Sequence, residues 1–339
     1  MHAGRKYEIK EVFFWTRREL FIFAIIAFIP TLLYEFLDWK FLTLPWLPIA
    51  LIGTAVAFLV GFKNNVCYDR LWEARRIWGG IVNESRSWGL MARDFISNKY
   101  RTQSLSNVEI KKVQSDLIHM QIAWLCALRH QLREPRAWET MSDPSNVEYR
   151  KLFNVREDEI SMIDELKMFI DPAIVENLKS YKNKATQIIA IQSEKIKELA
   201  ESGSLDEFRY MEMQKALREL LVLQGQCERI KNFPYPRQFA SFNIYYVWIF
   251  IVLLPFGMIY EFEKLGSLFV WLTIPFTMLI AWVFHSMEKV GSATENPFEG
   301  SANDVPITAL SRTIEIDLRE MLNELNIPEP LQPHNNILM

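Results

Sequence analysis

Cysteine, glycine and proline are scarce in this 339-residue chain, and the net charge is close to zero at −3. With three cysteines, Cys67, Cys126 and Cys227, there is no disulfide scaffold; three scattered thiols read as reduced structural residues. Twelve glycines and fifteen prolines are too few for a collagen-like or low-complexity chain. No basic block or nucleic-acid module occurs, which removes nucleic acid as a partner. Gly-rich phosphate loops and a nucleophile elbow are missing too, so no catalytic residue and no cofactor are expected. His130 and Glu134 stand four apart on a helical pattern, with His119 upstream. Two ligands make no zinc site, so no metal is expected and the pair reads as surface.

Charge is also missing, over long stretches. No Asp, Glu, Lys or Arg occurs from Leu20 to Tyr34, Phe41 to Phe62, Gln238 to Tyr260 or Leu265 to Met287. A helix needs ~20 mainly apolar residues to cross a bilayer, and three runs meet that length directly. The first is extended by Phe13-Phe14-Trp15 on one side and Phe36-Leu37 on the other. Short charged turns, Glu35 to Lys40 and Glu261 to Lys264, join the runs pairwise. The expected fold is an all-α integral membrane protein with four transmembrane helices arranged as two hairpins.

Lys and Arg set the orientation. All but Lys40 and Lys264 lie before Leu20, between Phe62 and Gln238, or after Met287, and Arg17, Arg18, Lys63 and Arg70 hug the membrane ends. The positive-inside rule puts both termini and the middle segment in the cytoplasm. The expected organisation is a cytoplasmic N-terminal segment 1–19, helices one and two in 20–62, a cytoplasmic helical domain 63–237, helices three and four in 238–287, and a cytoplasmic C-terminal segment 288–339. Gly79-Gly80, Pro135, Asp143-Pro144 and Gly203 divide the middle domain into four or five helices. Residues 295–306 read as an irregular strip, 307–325 as a helix, and the last dozen as an extended tail. Arg75 and Arg76 are expected in salt bridges, His285 at the membrane interface, and Cys227 as a buried structural thiol.

The second run carries the most information. Gly53, Ala57 and Gly61 recur every four residues, the small-xxx-small pattern of close helix packing. One position along, Thr54, Phe58 and Phe62 form a parallel stripe. Taken alone, the pattern leaves two alternatives: both stripes pack in a core, or the small residues pack while the aromatics line a pore and constrict it by dewetting.

The stretch GFKNNVCYDRLWEARRIWG (61–79) resembles the bestrophin family, in particular its bacterial members. Further on, ENPFEGSANDVPITALSRTIEIDLREML (295–322) resembles the NPF segment and following helix of that family. The resemblance spans nearly the whole chain. It implies a homopentameric ion channel of the bacterial inner membrane with a single axial pore lined by the second helices. On this alignment the pore neck falls on Thr54, Phe58 and Phe62, Thr54 replacing the usual aliphatic residue. A cytosolic aperture would fall on Phe208, in Leu205 to Tyr210. The implied partners are other copies of the chain, membrane lipid and permeant ions: chloride or other anions as in animal relatives, or monovalent cations as in some bacterial ones. Calcium binding is doubtful, because Glu299 and Asp304 alone replace an acidic cluster and calcium wants six to eight oxygens; a polar belt against a neighbouring subunit is the plainer expectation. The competing classes are a secondary transporter, disfavoured by the three charge-free longer runs, and a membrane-anchored scaffold or signalling protein.

Overall fold

A computed structural model describes residues 1–99, 101 and 104–339, and among them the regular structure is helical apart from isolated bridges near the termini. Four helices are long and apolar enough to cross a membrane: α1 (Ile9–Phe36), the first half of α2 (Trp46–Asp94), and, late in the chain, Arg237–Glu263 and Thr273–Thr294. Between them come α3 (Asn107–Arg133), the short α4 (Pro144–Arg150), α5 (Arg156–Glu159), α6 (Met162–Leu166) and α7 (Pro172–Leu178), then α8 (Lys184–Glu201) and α9 (Glu207–Asn232). The two late apolar helices are therefore α10 and α11, and α12 (Ile307–Met321) follows.

Two layers result. In the apolar layer α10 is the central helix, half of its most apolar window being buried against 22% for each of the others. It packs on α2, α11 and α1 around Phe23, Val56, Val60, Phe250 and Leu254. In the second, extramembrane layer the remaining length of α2 packs on α9 and α12, and α3 packs on α8 and α12. Trp78, Trp88 and Trp124 fill that core. Helix ends are set by local chemistry: Ser106 and Glu109 form a capping box that starts α3, and Pro135 follows its last turn. Gly203, at φ 78°, makes the turn between α8 and α9.

One expected break is missing. Gly79-Gly80 does not interrupt α2, which runs unbroken for 49 residues, about 73 Å. Two mid-helix glycines weaken a helix by ~1 kcal/mol each, but Gly80 sits where a Cβ would come 2.9 Å from Leu223 of α9. Packing of α2 on α9 and α12 overrides the propensity. The boundary expected at Phe62–Lys63 thus falls inside one continuous helix, which ties the two layers together.

Candidate functional site

Helix α2 has a packed side and a bare side. Its buried residues, Ile49, Gly53, Val56, Val60, Lys63 and Cys67, advance by alternating steps of four and three. That alternation averages 3.5 and keeps a stripe straight along a helix. Thr54, Phe58 and Phe62 advance by four each time, so the stripe turns by about 40° per step. It stays on the bare side throughout: Thr54 is exposed, Phe58 is 66% and Phe62 55% exposed on the single chain. The two rings meet edge to face with centroids 4.5 Å apart. Thr54 Oγ1 donates to the Ala50 carbonyl at 2.9 Å, which uses its proton within its own helix.

The same drift separates the three small residues. Gly53 lies on the packed seam, where a Cβ would stand 2.6 Å from the Phe250 ring. Ala57 is exposed, and a Cβ at Gly61 would have nothing within 4 Å. Within one chain they do not form a single packing face.

Directly after Phe62 the chain buries a charge. Lys63 is 1% exposed; its Nζ donates to Glu288 Oε1 and Ser292 Oγ of α11, both at 2.6 Å. Asn64 adds a bond to the Met287 carbonyl at 3.0 Å. In the sequence Lys63 marks topology and belongs to the 61–79 stretch; Glu288 lies 225 residues away, so no local pattern pairs them. At the far end of α2, Phe208 is 86% exposed in the first turn of α9, where Arg209 Nη1 donates to the Phe95 carbonyl. Phe62 and Asp94 are separated by about 48 Å of helix, so Phe208 stands well away from the aromatic pair.

Residues 295–306 form an irregular strip that is almost wholly buried inside its own chain. Glu299 accepts from the Thr140 N–H and hydroxyl, each at 2.9 Å. Asp304 accepts from Arg133 Nη1 at 2.9 Å and from the Gly300 N–H and Ser301 hydroxyl at 2.6 Å. Burial, with the Asp304 charge beside it, raises the Glu299 carboxyl to about 8. These polar contacts are made within the subunit.

Three bland expectations need correcting. His130 is buried rather than on the surface, and its partner is Glu165 of α6 at 2.9 Å, not Glu134. His285 is buried as well rather than snorkelling to water, its ring 5.5 Å from those of Phe23 and Trp248 and its Nε2 3.9 Å from Glu19 Oε1. Arg75 and Arg76 are exposed on α2 with no salt bridge among the described residues; Glu73 pairs with Arg229 of α9 at 2.5 Å. Cys227 is fully buried, as expected of a structural thiol.

Residues 11–320 match the family described as Bacterial/Fungal Bestrophin protein. The chain belongs to the bestrophin family. Bestrophins are ion channels, not enzymes, so this is a membrane protein of a channel family. Among its relatives is the Voltage-dependent anion channel-forming protein RSc3414 of Ralstonia nicotianae, 28% identical over 278 residues, 82% of this chain and 77% of the relative. The Voltage-dependent anion channel-forming protein YneE of Salmonella typhi is 25% identical over 305 residues, 90% of this chain and 84% of that one. The fold matches the crystal structure of a bestrophin homologue from Klebsiella pneumoniae with a TM-score of 0.75 at 22% identity, covering 91% of this chain and 99% of that one.

Proposed function

We propose that this bestrophin is one subunit of a homopentameric channel with a single axial pore lined by α2, conducting small ions passively. The ions are anions, in keeping with the names of its anion channel-forming relatives. Its four spans form two hairpins in the bacterial inner membrane, with both termini and the extramembrane layer in the cytoplasm. Phe58 and Phe62 carry the proposal: two large aromatic side chains stand bare on a helix whose other side is fully packed. Around a fivefold axis they become two apolar rings with Thr54 as a third, and Phe208 supplies a second constriction at the cytoplasmic end. Ala57 and Gly61, small and uncovered beside the stripe, are where a neighbouring copy approaches. An apolar ring offers ions no replacement for their hydration shell and so gates by dewetting. We place no calcium at Glu299 and Asp304: two carboxyl groups fall short of the six to eight oxygens calcium takes, and the Arg133 guanidinium already pairs with Asp304.

Planar-bilayer recording of the purified protein in a chloride gradient tests this. The expected result is single-channel steps reversing toward the chloride equilibrium potential. Reversal toward the cation potential overturns the ion choice, and absence of unitary current overturns the channel. Phe58→Ala with Phe62→Ala should raise conductance or open probability at least severalfold, since ~1.4 kcal/mol off a barrier is tenfold in rate. The ion preference should stay unchanged, and Thr54→Ala should do less. A double mutant conducting like wild type would make the stripe packing.

A further inference from the structure

We propose that Cys126, His130 and Glu165 form a binding site for a thiophilic divalent cation of the zinc class in the extramembrane layer. Cys126 and His130 are four apart on α3, which puts both side chains on one face one turn apart. The packing of α6 on α3 brings Glu165 to them: Sγ lies 3.3 Å and Nε2 2.9 Å from the same carboxylate oxygen, Oε2. All three ligand atoms fall within 4.8 Å of one another and all three residues are buried. Zinc bonds of 2.0–2.3 Å in a tetrahedron imply ligand–ligand edges of about 3.3–3.8 Å, so small side-chain shifts suffice.

A hydrogen-bonded cluster accounts poorly for this geometry. Arg129 Nη2 also lies 2.7 Å from Oε2, so three potential donors converge on one oxygen that has two lone pairs. Arg156 holds the other oxygen, Oε1, at 2.9 Å, so the carboxylate cannot share the load by turning. A cation resolves the crowding. Oε2 then gives one lone pair to Arg129 and the other to the metal, while Cys126 and neutral His130 become ligands instead of competing donors. The Cys126 proton leaves to solvent on binding. Glu157, bonded to Arg129 as well, balances the charge of the guanidinium beside Oε2.

A fourth ligand has room. A cavity of about 20 Å³ bordered by Cys126 and Glu165 adjoins the cluster, enough for one water. Leu331 of the C-terminal tail borders the same cavity and is only partly buried. The bound ion would staple α6 to α3, two elements otherwise joined by side-chain packing and ion pairs.

The test uses the full chain in detergent, reduced and stripped with chelator, then titrated with cobalt(II). The expected result is one equivalent per chain giving a thiolate-to-cobalt charge-transfer band with the intense visible bands of four-coordinate cobalt, both lost when zinc is added. Cys126→Ser should abolish the charge-transfer band, while Cys67→Ser and Cys227→Ser keep it. His130→Gln, which leaves the thiol in place, should lose the four-coordinate spectrum and guards against a Cys126 variant that fails to fold. No thiolate band in the wild type, or a band that survives Cys126→Ser, overturns the site. Neither outcome depends on whether the protein conducts.

Discussion

The bare side of α2 passes through two environments, and the same kind of exposure means different things in each. In the apolar layer an uncovered Phe58 or Phe62 costs nothing if lipid covers it. Beyond Lys63, in the charged layer, the same arc of the helix leaves Tyr68 59% and Trp72 52% exposed. Aromatic side chains bury 150–250 Å² each when covered, at roughly 25 cal/mol per Å², so leaving them in water forfeits stability that a neighbouring copy would restore. Exposure in the charged half therefore argues for assembly independently of the Phe58 and Phe62 stripe. The packed side differs across the same boundary: apolar groups above, and a lysine ammonium pinned to a carboxylate just below.

That contrast can be broken hardest at Lys63. Glu288→Ala should leave its ammonium buried and unpaired, a loss of about 3–5 kcal/mol. Glu73→Ala, also on α2, which removes a partner from an exposed pair with Arg229 of α9, should cost under ~1 kcal/mol. Thermal unfolding of the two variants compares them directly; equal shifts would show that Lys63 is solvated in the folded protein. Next comes the glycine pair. Gly53→Leu should destabilise the subunit by about 1–3 kcal/mol, because even its Cβ meets Phe250. Gly61→Leu should leave the subunit fold intact and shift native mass spectra from pentamer to smaller species. An unchanged spectrum would place Gly61 against lipid.

A pH-dependent test lies in the 295–306 strip. The Glu299 carboxyl is raised from 4.5 to about 8 by burial and by Asp304. The folded state therefore holds a proton that the unfolded chain gives up, and this contribution to stability is full below about pH 4.5 and lost as pH climbs through about 8. Melting temperature should fall between pH 5 and 9, and Glu299→Gln should flatten that slope. A slope unchanged by the substitution would assign it to another group.

The aromatic stripe and its neighbours were legible from residues 51–62 because helical periodicity is local: Thr54, Phe58 and Phe62 must share one side of any helix that contains them. Which side that is could not be read. Small-xxx-small spacing suggested one face for Gly53, Ala57 and Gly61, but a four-residue step drifts while the packed seam alternates four and three, so only Gly53 meets α10. The glycines at 79 and 80 misled for a related reason, since α2 is carried through them by its packing on α9 and α12, which lie far along the chain.

By itself the sequence determined the four apolar spans, the helical character of the middle segment and the family, because charge-free length, periodicity and contiguous motifs are properties of neighbouring residues. Only the tertiary structure decided which charges are buried and with whom: Lys63 with Glu288, Arg133 with Asp304, Arg129 with Glu165. A buried charge must find its counter-charge wherever the fold brings one, and those partners lie 225, 171 and 36 residues away.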